Sequence, residues 1–506
     1  MTSPSAVLDL LVLTFNCGKS LINVPVFAHH LQTALSQNAS GLPDLVVLSL
    51  QEIAPLSYCF IGGYFLNPYL TRFEEAVNIA AQSHSDAHPD ENETARNADS
   101  AVSLTLPASP AKPYTLVRAN NVGYTGILLF ARDPSRLQDI QEAEVGFGAA
   151  DMGNKGAVGL RMLYEGVSGE STEVTFVSTH LAAMEWNLPR RNANWAAIMR
   201  GMAFENPEAV VTNFRNSSST PSTPSVEETD EPVDQLRDEQ LGLLHDEHDA
   251  QQLRLQQQLH DISVFRPSSH LFVSGDLNYR ISTTSPPPSA AFPSLDPESV
   301  HYYPEFFRLD QLTRERKAGR TLHGLEEHEV RFPPTYKYDV LPPKAGANEG
   351  LELDVPWKFA SHRYPSWTDR ILFLDVPFWA KGKATANNSN ESQGPIMNVR
   401  AYDALPLLRS SDHRPVFLRV DVPLIDPKDL APPASIAESN TSAVTDPRVR
   451  LPIEIDPEAW ERRAAARRKE VMAGWSMFLC STKQGAWILS TMIIVGLSAY
   501  WLYRGF

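Results

Sequence analysis

Apolar positions along the chain fall into short runs rather than long stripes. Residues 7–15 (VLDLLVLTF), 45–50 (LVVLSL), 126–130 (GILLF) and 157–162 (AVGLRM) each read as a buried β-strand. So do residues 174–178 (VTFVS), 270–274 (HLFVS), 371–374 (ILFL) and 416–420 (VFLRV). Helical spacing interrupts them at 68–83 and 190–202. Many short strands with helices between them predict an α/β layered fold. Polar, Pro- and Ser-rich stretches at 82–113, 282–296 and 387–393 read as loops. Residues 206–261 join a Ser/Thr/Pro tract to an acidic, Gln-rich run, which predicts a disordered acidic surface insert. The second half of that run has the spacing of a solvated helix with a thin apolar face. Residues 425–460 read as a linker.

The pattern changes character near the end. Residues 486–503 (AWILSTMIIVGLSAYWLY) form eighteen positions without a charge. At about 1.5 Å per residue they reach across a ~30 Å hydrocarbon core. Trp487, Trp501 and Tyr503 stand near the ends, as interfacial anchors do. A buried C-terminal helix is the alternative, but the segment is apolar on all faces. Residues 461–485 precede it, and 461–470 (ERRAAARRKE) hold five basic residues, the composition of a cytosolic flank beside anionic lipid. The layout predicts an integral, tail-anchored protein.

Composition narrows the options. With 506 residues, 42% of them apolar, the chain can bury a sizeable core. A net charge of −16 argues against nucleic acid as the main partner. Three cysteines, Cys17, Cys59 and Cys480, exclude a disulfide framework and fit the cytosol.

The polar residues just after the strand runs carry the chemistry. Strand ends that open into one crevice are the usual place for a site. Asp276 and Asn278, two apart in GDLN, project together from extended backbone. A carboxylate beside a carboxamide can hold and deprotonate water. The same four residues are also good turn chemistry. Glu52 ends LVVLSLQE, either as a solvated loop residue or as a ligand for Mg²⁺, which takes one or two carboxylates. Asn16 is a neutral candidate beside it, or a strand-end cap. His180 ends VTFVSTH, where a core histidine is the alternative. His413, in SDHRPV, follows Asp412, and Asp369 is a second carboxylate able to orient it. Lys155 lies between glycines in GNKG, and Lys337, Arg363 and Arg370 stand in other motif positions.

As a set these motifs resemble the inositol-polyphosphate 5-phosphatases, a branch of the DNase-I-like exonuclease–endonuclease–phosphatase superfamily. Two signatures stand as VSGDLNYR and RYPSWTDRIL. TFN at Thr14, QE at Gln51, MGNKGAV at Met152, STHL at Ser178, TYK at Thr335 and SDHRPV at Ser411 accompany them in the family's order. The resemblance covers a catalytic domain at 6–424. It implies a two-sheet β-sandwich flanked by helices, with the site at one rim. It implies Mg²⁺-dependent hydrolysis of the 5-phosphate of an inositide. Glu52 and Asn16 would serve the metal. Asp276 would activate water, with Asn278 positioning it. His180 and His413 would stabilise the phosphoryl oxygens, Asp369 would orient His413, and Asp412 would complete the acidic side. Tyr336, Lys337 and Arg363 would read a 4-phosphate, and Asn154 and Lys155 would lie nearer a 1-phosphate. Ser361 stands where many members carry a lysine, with Lys358 nearby. The tail is similar to that of fungal phosphatidylinositol 4,5-bisphosphate 5-phosphatases of the endoplasmic reticulum. The expected substrate is therefore phosphatidylinositol 4,5-bisphosphate, converted to the 4-phosphate, with other inositides or soluble inositol phosphates as the alternative. The expected location is the endoplasmic reticulum membrane, with the mitochondrial outer membrane as the alternative. A phosphodiesterase of the same superfamily is the first rival, against which RYPSWTDR and TYK argue. A non-enzymatic lipid tether is the second, against which the full set of acids, amides and imidazoles argues.

Overall fold

The structure, a computed structural model, describes residues 6–87, 112–218, 250–343, 352–381, 395–437 and 446–505. Its first strands are β1 (Val7–Asn16), β2 (Leu45–Gln51), β3 (Thr115–Val122), β4 (Thr125–Ala131), β5 (Leu137–Gly146), β6 (Gly156–Glu165) and β7 (Ser171–His180). They are followed by β8 (Ser269–Asp276), β9 (Tyr338–Val340), β10 (Trp357–Phe359), β11 (Asp369–Phe373), β12 (Asn398–Ala404) and β13 (Val416–Pro423). The longer helices are α1 (Val24–Ser36), α2 (Leu56–Ile61), α3 (Asn67–Ala87), α4 (Leu188–Gly201), α5 (Pro207–Ser218), α6 (Ala459–Ser481) and α7 (Lys483–Arg504).

One sheet runs β12-β13-β1-β2-β4-β3 and a second runs β11-β8-β7-β6-β5. Period-2 alternation builds the layers. On β1, Leu10 and Val12 point between the sheets, where they meet Val158, Leu160, Phe176 and Phe272. Leu11, Leu13 and Phe15 point the other way, onto Phe27 and Leu31 of α1 and Phe73 and Val77 of α3. The outer face of the second sheet offers Val177, Val273 and Leu372 to Trp195, Ile198 and Met199 of α4. The result is the expected four-layer sandwich of helices, two sheets and helices. Both parallel pairs, β1–β2 and β7–β8, lie inside their sheets. Ser49 joins the sheets beneath the site, donating to Ser178 Oγ at 2.7 Å and the Ser274 carbonyl at 3.1 Å.

Several expectations differ from the structure. Residues 82–87 belong to α3 rather than to a loop, and 88–111 lie outside the described residues, as do 387–393. The insert is not irregular throughout. Residues 207–218 form α5, which was not expected, 250–262 form the solvated helix that the spacing predicts, and 219–249 lie outside the described residues. The linker is also partly core. Ile425 and Leu430 pack with Val376 and Trp379. Ile455 and Leu451 meet Ala203, Val210, Leu259 and Ile262, so the two ends of the insert and the linker bury one another. The apolar residues responsible are spaced singly among prolines and charges, without a period. Strands β3, β5 and β12 escape the hydrophobic pattern because they are sheet edges with polar, half-exposed residues. Helix α1 is set by its N-cap, where Asn23 Oδ1 accepts from Val26 N at 3.2 Å with Pro25 in the first turn.

Candidate active site

Strand register assembles the site before any side chain is considered. Across the second sheet His180 is paired with Asp276, and Asp276 with Asp369. Across the first sheet Asn16 is paired with Gln51. These positions end β1, β2, β7 and β8 and begin the antiparallel β11, so all of them reach one rim. Gly275 makes this possible. A Cβ there would come within 1.9 Å of the Thr179 carbonyl oxygen, at a φ of +155°. The close approach lies within β8 rather than at a turn. The turn follows it, with Asn278 at φ 58° and, across the rim, Glu52 at φ 47°. Left-handed backbone at non-glycine residues costs free energy and gathers where a site needs it.

Asp276 is buried at the centre. Its Oδ2 accepts from Asn16 Nδ2 at 3.0 Å and lies 3.3 Å from His180 Nε2 and 3.9 Å from His413 Nε2. Its Oδ1 accepts from the Asn278 backbone N–H at 3.1 Å. Burial raises the affinity of Asp276 for a proton, but His413, His180 and Lys155 outweigh it and hold the carboxyl well below the usual range. Asn278 Nδ2 donates to the Leu181 carbonyl at 3.1 Å, and Arg280 donates to Asn278 Oδ1.

His413 sits in an acidic nest. Its Nδ1 is 2.9 Å from Asp369 Oδ2, and its Nε2 is 3.9 Å from Asp412 Oδ1. Thr335 and Thr368 each donate a hydroxyl to Asp369 Oδ2, at 2.7 and 2.8 Å. Burial favours the neutral ring, yet Asp369 and Asp276 raise His413 to about 9. Burial holds Asp369 above the usual carboxylate range. Tyr336 lies against the His413 ring, with centroids 4.4 Å apart, and Arg280 lies over Tyr336 at 4.3 Å. Lys337 Nζ donates to Asp412 Oδ2 at 2.6 Å.

The opposite flank is basic. Lys155 Nζ touches His180 Nε2, and burial pushes Lys155 down to about 8. Burial and Lys155 together lower His180. Lys19 Nζ lies 2.8 Å from Glu52 Oε2. Burial alone would raise Glu52, but His180 and Lys19 keep it below the usual range.

A pocket of about 250 Å³ opens among Asn16, Glu52, Lys155, His180, Asp276, Asn278, Tyr336, Lys337, Asp412 and His413. Ten of the thirteen expected site residues therefore line one cavity. Asp369 stands behind His413. Asn154 and Arg363 are not on the lining. Arg363 Nη1 instead pairs with the buried Glu185 at 3.1 Å, and Lys358 is exposed on β10. Arg370 is fully buried between Glu327 and Asp310, at 2.6 and 3.1 Å, as a structural ion pair. Lys19, Ala183 and Arg280 line the pocket without having been expected. Arg280 was findable, because it lies two residues beyond Asn278 in the same signature. Lys19 carries no sequence signal.

The donors suit a hard divalent cation. Glu52, Asp276 and Asp412 bring carboxylates to the same pocket, with an amide at Asn16 and no sulfur. Asp276, Asp369 and His413 also bring ligand atoms within 4.8 Å of one another. The hydroxyl bonds to Asp369 and its position outside the pocket leave Asp369 as the partner that holds the proton on His413.

Residues 13–419 match the family described as Endonuclease/Exonuclease/phosphatase family 2. The chain is 25% identical over 395 residues to the polyphosphatidylinositol phosphatase INP53 of Saccharomyces cerevisiae, covering 76% of this chain and 24% of that protein. It is 24% identical over 364 residues to the inositol-1,4,5-trisphosphate 5-phosphatase 1 of Schizosaccharomyces pombe, covering 71% and 24%. It is 24% identical over 415 residues to the synaptojanin of Caenorhabditis elegans, covering 79% and 26%. The chain thus spans about a quarter of the length of these relatives. A solved inositol polyphosphate 5-phosphatase domain of SPsynaptojanin, bound to inositol (1,4)-bisphosphate and calcium, aligns with a TM-score of 0.48 and 18% identity, over 83% of this chain and 85% of that one. With a family match running from within β1 to within β13, the chain belongs to endonuclease/exonuclease/phosphatase family 2, in its inositol-polyphosphate 5-phosphatase branch.

Proposed function

We propose that the protein is a Mg²⁺-dependent phosphatase that removes the 5-phosphate from phosphatidylinositol 4,5-bisphosphate at a membrane. The observation that carries this is one buried, ionised carboxylate, Asp276, in a pocket also lined by Lys19, Lys155, Arg280 and Lys337. That charge suits a small, strongly anionic substrate and an attacking water. The names of the relatives support the inositide class.

Asp276 holds the water and takes its proton as the oxygen bonds phosphorus, and Asn278 fixes the approach. The bond from phosphorus to the ring oxygen breaks, and that oxygen leaves with the electron pair and takes up a proton from solvent to become the ring hydroxyl. His413, protonated and oriented by Asp369, donates to the phosphoryl oxygens as their charge grows. His180, with Lys155 beside it, faces the same oxygens. Glu52 and Asn16 would hold Mg²⁺, which when bound offsets charge on the transferring group. Tyr336 and Lys337 read the 4-phosphate, with Arg363 reaching it by leaving Glu185. Lys155 lies toward the 1-phosphate, with Asn154 behind it.

Among the described residues one helix, Lys483–Arg504, is long and apolar enough to cross a bilayer, and its side chains are exposed. We read it as an anchor in the endoplasmic reticulum membrane, with the mitochondrial outer membrane as the alternative and the domain in the cytosol. Microscopy of a tagged chain, with protease protection, tests this.

The activity test uses the full chain in liposomes, with and without Mg²⁺. The panel holds the 4,5-bisphosphate, the 3,4,5-trisphosphate, the monophosphates and soluble inositol trisphosphate. Metal-dependent release from the 4,5-bisphosphate, with the monophosphates spared, is expected. A Lys337→Ala variant should lose discrimination for the 4-phosphate. Silence on every inositide would overturn the proposal and direct the search to phosphodiesters.

A further inference from the structure

The segment ahead of the apolar helix is not free to lie on lipid. Helix α6 docks on the domain beside the active site, and its grip is specific. Glu470 is fully buried on this helix. Its Oε1 accepts the backbone N–H of Gly153 at 2.7 Å. A buried carboxylate is unfavourable unless partnered, and two arginines of the same helix partner it. Arg463 donates to Glu470 and, at 3.0 Å, to Glu144 of β5. Arg467 donates to Glu470 at 3.4 Å and to the Phe60 carbonyl at 3.0 Å. Two of the five basic residues expected to face lipid therefore face protein.

Farther along, α6 crosses α2 at close range. A Cβ on Gly474 would come within 2.9 Å of Phe60 Cβ and 3.1 Å of Ile61 Cγ1. Trp475 and Phe478 then pack on Phe65, with ring centroids 5.8 and 4.9 Å apart. Four residues after Phe478, Thr482 caps α7 by accepting from Gly485 N at 2.9 Å.

Gly153 is the tip of the loop that carries Lys155. The loop is closed at its base, where Phe147 N donates to the Lys155 carbonyl at 3.0 Å and Gly148 N to the Met152 carbonyl at 2.9 Å. On one side it meets the β3–β4 turn, since a Cβ on Gly153 would come within 2.4 Å of Val122. On the other side Glu470 pins it. Lys155, two residues on, reaches His180 in the pocket.

We propose that α6 is a built-in support of the active site, with Glu470 as the positioning residue that holds the 148–155 loop and so sets where Lys155 meets substrate. The role rests on the functional reading above. It also makes the domain stand in a fixed relation to α7, because the docking contacts end one turn before α7 begins.

The test compares full-length Glu470→Ala, Glu470→Gln and Gly474→Leu with the parent chain in nanodiscs. Hydrogen exchange is followed at residues 148–155 and 459–481, and kinetics on soluble inositol trisphosphate. Glu470→Ala removes the acceptor, and Gly474→Leu wedges the helix from Phe60 without touching the loop. Both should speed exchange at 148–155 and raise KM about tenfold, the factor one hydrogen bond to a charged group carries, with kcat moving less. Glu470→Gln keeps an acceptor oxygen and should recover most of the affinity. Faster exchange at 459–481 with an unchanged loop and unchanged KM would overturn the proposal, as would parental values for both in Glu470→Ala. A parent chain inactive on every inositide would remove the functional reading instead, and the exchange data would still decide whether α6 holds the loop.

Discussion

The two flanks of Asp276 each present an imidazole, but they surround it with opposite charge. On the β11–β13 side, His413 meets Asp369, Asp276 and Asp412, and keeps its proton up to about 9. On the β6–β7 side, His180 meets Lys155 and gives its proton up more easily than usual. Charge on that flank resides on lysines, one of which covers Glu52. The same side chain therefore takes opposite states a few ångströms apart, decided by neighbours rather than by residue type. The acidic flank is a proton holder able to donate to phosphoryl oxygens. On the basic flank an ammonium, that of Lys19, covers the carboxylate proposed to hold the cation.

The largest effect is expected where the flanks meet. Asp276→Asn should lower kcat/KM by about a thousandfold or more, the upper part of the range for a positioned base. The fold should persist by circular dichroism. A loss under tenfold would mean that neither flank works through this carboxylate. Next come the imidazoles themselves. His413→Gln should cost about a hundredfold, as for a lost donor to a developing oxyanion. His180→Gln should cost roughly tenfold, the size of one neutral hydrogen bond. The reverse ranking would sink the assignment of charge to the His413 side.

The flanks also differ in pH dependence. The folded value of His413 lies above its ordinary 6.5. The stability that its proton contributes is therefore complete below about 6.5 and lost as pH rises through about 9. Activity should fall over the same alkaline window. Asp369→Asn removes the largest raising partner, so that limb should move toward neutral pH. A limb that stays in place would assign it to another group, such as Lys155.

What the sequence discloses follows from where each signal resides. The inner strands announce themselves because both of their faces are buried, as in LVVLSL of β2. The edge strands β3, β5 and β12 do not, since much of each faces water, whereas the fully buried edge strand β11 does. The rim residues are legible for a related reason, as polar side chains that end apolar runs. His180, Asp276 and Asp369 need only the register to meet, and Asn16 reaches them through the packing of one sheet on the other. Residues that act through the loops are harder to see. Lys19 is one lysine after a strand, and Arg363 stands in a signature yet turns to Glu185. The docking of α6 is the least legible feature. ERRAAARRKE reads as a lipid-facing tract, and only the fold shows that Glu470 finds a backbone N–H to accept.

The smallest expected effect tests the basic flank alone. Lys19 and Glu52 form a partly exposed ion pair, with the lysine side chain 45% accessible. Pairs of that kind contribute about 0–1 kcal/mol after screening and side-chain entropy. If Glu52 holds Mg²⁺, the cation has to displace this ammonium, and binding is weakened by what the pair contributes. Lys19→Met removes the competitor and keeps the aliphatic stem over Tyr124, whose ring lies 5.4 Å from Lys19 Nζ. The Mg²⁺ concentration for half-maximal rate should therefore fall, by at most about fivefold for 1 kcal/mol. A rise instead would make Lys19 a ligand of the phosphate rather than a placeholder for the metal. The two flanks would then share the anion equally.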